Sequence, residues 1–107
     1  MAWLAWLGAA TAVQAQGAAP AVEAGRVKAA ACAVCHGPAG IASAPDAPHL
    51  AGMPPLYLTA QLRAYRSGAR RHEVMAVIAR PLSDEDIAAL AAWYAAIRIE
   101  ATPPAPR

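Results

Sequence analysis

Apolar residues recur at helical spacing in three stretches of the chain. Over residues 21–32, Val22, Gly25, Ala29 and Cys32 fall on one face, the three-and-four spacing of an amphipathic helix. Over residues 54–67, Leu58, Leu62 and Tyr65 make a second stripe, with Arg63 and Arg66 on its flank. Pro54-Pro55 suits a helix first turn, where the missing N–H costs nothing, and Gly68 supplies the stop. Over residues 83–97, Ile87, Leu90, Tyr94 and Ile97 form the third stripe, with Trp93 beside it. Ser83 is placed to cap this helix, and Asp84, Glu85 and Asp86 sit at the positive end of its dipole. No stretch shows convincing strand alternation. The pattern predicts an all-α fold of three main helices with no sheet.

The segments between the stripes carry their own signals. Gly37, Pro38, Gly40, Pro45, Pro48 and Gly52 make residues 36–53 a loop by composition. A loop of that length in so short a chain is unusual unless it wraps something. Residues 72–80 carry Met75 and run from polar to apolar before Pro81 breaks them. A glycine in mid-helix costs roughly 1 kcal/mol against alanine, so Gly25 points to close approach of another helix. At the start, residues 2–13 are apolar and Val13-Gln14-Ala15 offers small residues for cleavage, which predicts a secretory leader over 1–15 and a periplasmic protein. The run is shorter than the roughly 20 residues of a membrane span, and no Lys or Arg precedes it. A linker over 16–20, a single domain over 21–98 and a proline-rich tail over 99–107 complete the division.

Composition sharpens the question of what the loop encloses. With 107 residues the chain is bounded to one small domain, and domains this small often need a covalent or metal staple. There is no Phe, and alanine supplies most of the 58% hydrophobic content, so large core side chains are scarce. A net charge of +2 with no dominant basic stripe argues against nucleic acid as a partner.

The sole cysteines lie in Cys32-Ala33-Val34-Cys35-His36, the pattern of a c-type haem attachment site. Residues at i, i+3 and i+4 share a helical face, so both sulfurs and the imidazole can meet one flat macrocycle. Cys32 and Cys35 would be its thioether links and His36 the proximal iron ligand. Three other readings compete. A thioredoxin-like redox pair needs a neighbouring strand-helix-strand pattern. A zinc site wants about four ligands in paired clusters. A plain disulfide does not call for His36. A haem would also provide the large apolar body that the composition lacks.

With these residues in view, the chain resembles a class I cytochrome c of the short bacterial monohaem type, similar to one half of the tandem dihaem cytochromes c. The likeness runs over about 21–97. It rests on the Cys32–His36 motif with Gly37, on Pro48-His49-Leu50-Ala51-Gly52, on Tyr57, Gln61-Leu62, Tyr65 and Gly68, and on Met75 ahead of Leu82-Ser83-Asp84. The resemblance implies three helices around one covalent haem c with its iron, and Met75 as distal ligand. It implies that the Pro48 carbonyl accepts from His36, that Trp93 packs on the first helix near Gly25, and that Pro48, Tyr65 and Trp93 belong to the haem pocket or its surround. Met53, His49 and His72 depart from the usual pattern as other potential iron ligands. The implied work is one-electron transfer to redox partner proteins, by a carrier and not an enzyme. Alternatives are an electron-transfer subunit of a larger dehydrogenase or oxidase, or a haem sensor or enzyme with a labile distal ligand. Arg63, Arg66, Arg70 and Arg71 form either a solvated face or a contact for an acidic partner or a haem propionate.

Overall fold

A computed structural model describes residues 18–107. The expected leader lies outside them, as does the start of the expected linker. Among the described residues five helices follow one another: α1 (Ala18–Lys28), α2 (Ala33–His36), α3 (Pro55–Ser67), α4 (Glu73–Ala79) and α5 (Asp84–Ala96). Among the described residues there is no strand. The three long helices are α1, α3 and α5, and the two short ones carry His36 and Met75.

Two boundaries differ from the pattern-based expectation. α1 is already helical at Ala18, the first described residue and inside the expected linker, and it stops at Lys28 instead of running on to Cys32. The chain then turns: the amides of Cys32 and Ala33 both donate to the Ala29 carbonyl, at 2.9 and 3.0 Å. The cysteine motif therefore sits on its own turn of helix, re-aimed relative to α1.

The termini of the later helices follow their chemistry. α3 starts after an extended Pro54 and stops at Gly68, whose φ of 86° is left-handed. α5 opens with a reciprocal cap: Ser83 Oγ accepts from the Asp86 amide, and the Asp86 carboxylate accepts from the Ser83 amide. The Ser83 N–H foremost, then Lys28 at 3.0 Å, hold the Asp86 carboxyl below its usual range. α4 is capped by His72, whose Nδ1 accepts from the Met75 amide at 3.1 Å.

α5 is the element on which α1 and α3 pack. α1 meets it at Gly25, where a Cβ would stand 1.9 Å from the Ala89 carbonyl oxygen and 2.7 Å from Trp93 Cβ. Only a glycine allows that approach. α3 packs on α5, and α4 on α3. Arg66 ties α3 to the entry of α5, donating to the Leu82 carbonyl at 3.0 Å and to Asp84 at 2.7 Å. The 37–53 loop is pinched where the Gly40 carbonyl accepts from both Leu50 and Ala51. Its far end is tied to α5 by the Gly52 amide, which donates to the Tyr94 carbonyl at 2.9 Å.

Large apolar side chains are scarce in the core. Among the described residues nine hydrophobic ones are buried, and five of them are alanines: Ala29, Ala51, Ala79, Ala89 and Ala91. Val34, Tyr57, Val74, Val77 and Ile78 are instead exposed, and all five line one cavity.

Candidate haem site

That cavity has a volume of about 870 Å³, near the upper end for a bound organic group. α2 brings the attachment motif to its wall. Cys32, Cys35 and His36 all line it, and both cysteines are free thiols. His36 is buried, and its Nδ1 lies 2.8 Å from the Pro48 carbonyl oxygen. A carbonyl only accepts, so Nδ1 carries the proton and donates. That fixes the tautomer and leaves Nε2 with a free lone pair for a metal. The loop helps to hold this geometry, since the amides of Ser43 and Ala44 donate back to the Cys35 carbonyl at 3.1 and 3.2 Å.

The remaining candidate residues divide by position. Met75, Met53 and His72 line the cavity, and so do Pro48 and Tyr65. Met53 packs against the buried core cluster, whereas Met75 does not belong to that packing. His49 is not on the wall; its Nδ1 accepts from the Ala42 amide at 2.8 Å and pins the loop. Trp93, grouped above with the pocket, stands at the α1–α5 contact and does not line the cavity. Its neighbour Tyr94 does. Tyr94 is the site residue the sequence reading placed only in the core. A hydroxyl on an otherwise apolar helical stripe was the signal for it.

The four arginines are mostly occupied internally. Arg63 and Arg66 share Asp84. The Arg66 hydrogen bond, then the charges of Arg66 and Arg63, hold that carboxyl below its usual range. Arg70 donates to Gln61 at 2.7 Å and lies 4.7 Å over the Tyr65 ring. It reaches the cavity wall together with Lys28, so two cations border the apolar space.

The donor set fits a covalent haem. Two thiols and an imidazole share one turn, the imidazole has its free nitrogen fixed, and the wall is otherwise mainly apolar. The Tyr94 hydroxyl is buried without a hydrogen-bond partner, a sign that the protein alone does not complete this site.

Comparison with known proteins agrees. The cytochrome c family model matches residues 21–96, and the chain belongs to that family. Members carry a covalently bound haem c with its iron. Over 74 residues the chain is 43% identical to cytochrome c-554(548) of Halomonas halodenitrificans, covering 66% of this chain and 89% of that protein. It is 42% identical over 77 residues to a thiosulfate dehydrogenase electron acceptor of Thiomonas intermedia, covering 71% of this chain and 36% of the relative. It is 43% identical over 84 residues to cytochrome c4 of Thiocapsa roseopersicina, covering 75% and 43%. The chain thus spans less than half the length of the last two.

Proposed function

We propose that this chain is a periplasmic one-electron carrier whose haem would be linked to Cys32 and Cys35, with His36 and Met75 holding its iron. The observation that carries the reading is the His36–Pro48 hydrogen bond, because it frees Nε2 beside two thiols on the same turn. Met75 is favoured as the second ligand because it reaches the wall from α4 without being committed to the core. Met53 is committed there, and His72 uses Nδ1 to cap α4. When bound, the haem supplies a one-electron couple, with a potential raised by a methionine ligand.

The residues then have simple work. His36 and Met75 would both hold the iron, which would leave no place on it for a substrate. The apolar wall excludes water, and the loop held by Gly40 and Gly52 closes over the motif. Docking to redox partners would be small in area and brief. A second reading, an electron-accepting partner of a dehydrogenase, is favoured by the relatives named as thiosulfate dehydrogenase electron acceptors.

Both readings need exported protein with covalent haem. Denaturing electrophoresis of a periplasmic fraction, followed by haem staining, should give a coloured band at the chain's own mass. Haem that extracts into acid-acetone would overturn the attachment, and a band confined to the cytoplasmic fraction would overturn the location.

A further inference from the structure

Tyr94 is 3% exposed, and its hydroxyl oxygen is sealed from solvent. Among the described residues it is the one buried side-chain polar atom without a partner. The ring cannot easily swing away to find one. Its edge lies over Gly40, where a Cβ would come within 3.0 Å of Tyr94 Cδ1, and its own backbone carbonyl is tied to Gly52. Its helical neighbours facing the cavity, Leu90 and Ala91, are apolar. A phenylalanine would serve the packing equally well, so the hydroxyl asks for its own explanation.

Cys32 packs against the buried cluster that contains Tyr94, and both residues line the cavity. Burial first, and the adjacent Cys32 thiol next, push the Tyr94 hydroxyl above its ordinary range. Burial likewise raises Cys32, with Tyr94 opposing. At this shared wall the Tyr94 hydroxyl still has no hydrogen-bond partner.

We propose that Tyr94 is a positioning residue for the haem, its O–H donating to the Cys32 sulfur once that sulfur is a thioether. This rests on the attachment reading above. A free thiol can donate or accept, but a thioether sulfur has no hydrogen, so attachment leaves Tyr94 as the only possible donor. The fixed ring then holds the linked edge of the macrocycle. The positive end of the O–H dipole points at that edge and favours the reduced, less positive iron. Tyr94 thus raises the potential and stiffens the Cys32 linkage.

The test is Tyr94→Phe in the haem-loaded protein, with potentiometry and the resonance-Raman C–S stretch as readouts. The variant should keep a haem-stained band and show a lower potential and a shifted C–S stretch. An unchanged potential and stretch, with haem attached, would overturn the inference and leave the attachment reading standing. Failure of the wild-type protein to hold covalent haem would remove the attachment reading itself. Should the variant not load, difluorotyrosine incorporated into the wild-type chain decides the matter. With the phenol kept protonated, its stronger donor should raise the potential, and no rise would overturn the role of Tyr94.

Discussion

His36 Nδ1 donates to the Pro48 carbonyl across 2.8 Å, and through that contact a loop residue fixes which nitrogen of a helical residue faces the cavity. The hydrogen bond also enriches the ring in electron density and would make it a stronger ligand for the proposed iron. Pro48→Ala keeps the carbonyl but frees the loop that aims it. Relaxing one proline costs about 0.4–1 kcal/mol through the unfolded chain. The variant should have a lower denaturation midpoint and a higher reduction potential. A potential equal to wild type would mean that this carbonyl does not tune the iron.

Gly25 is the point where α1 and α5 touch, and two effects compete in Gly25→Ala. Alanine gains up to about 1 kcal/mol of helix propensity. Its Cβ would stand 1.9 Å from the Ala89 carbonyl oxygen, a backbone atom that moves only with α5 itself. Overpacking of this kind costs about 1–3 kcal/mol, so the clash wins. Chemical denaturation of the holoprotein should show net destabilisation, and Gly25→Leu should be worse. Equal stability of Gly25→Ala and wild type would show that the helices can separate at little cost.

Arg66 should matter more than the ion it pairs with. Asp84 is 69% exposed at its side chain, so solvent screens that pair and it adds little. The Arg66 bond to the Leu82 carbonyl is partly buried, and a hydrogen bond from a charged donor is worth about 1.5–3 kcal/mol. Arg66→Ala should therefore destabilise the protein more than Asp84→Asn, as urea midpoints would show. The reverse order would make the surface ion pair the dominant tie.

Much of this architecture was legible in the chain, for reasons that also explain what was not. The Leu58-Leu62-Tyr65 and Ile87-Leu90-Tyr94 stripes announced α3 and α5, because long helices repeat their apolar face several times. Gly25 announced the α1–α5 contact, because a helix keeps a central glycine only where something presses on it. The break after Lys28 was hidden: Ala29, Ala30 and Ala31 favour helix, and the turn that re-aims Cys32 is held by tertiary structure. At seven residues, α4 is too short to show a period. The arginine cluster read as one surface because its partners Leu82 and Asp84 lie 16 and 18 residues from Arg66. Trp93 and Tyr94 are neighbours on one helix, about 100° apart, and only the packing angle of α5 decides which of them faces the cavity.

Acid should weaken the protein partly through Asp86. Its folded-state pKa lies below the ordinary value of 3.8, held there by the Ser83 amide and then by Lys28. The stabilisation is thus fully present above about pH 4 and is lost as pH falls through the lower folded value. Asp86→Asn should cost stability at neutral pH and give a shallower acid limb, the two proteins converging in strong acid. A constant difference between them at every pH would assign the cap to hydrogen-bond geometry instead of charge.

The central claim is an iron held between His36 and Met75, and the near-infrared charge-transfer band of the ferric protein tests it most directly. Wild type and Met53→Ala should show the methionine-ligation band, and Met75→Ala should lose it while becoming open to cyanide. Loss of the band in Met53→Ala with its retention in Met75→Ala would contradict the assignment, and a wild-type protein without the band would contradict methionine ligation altogether.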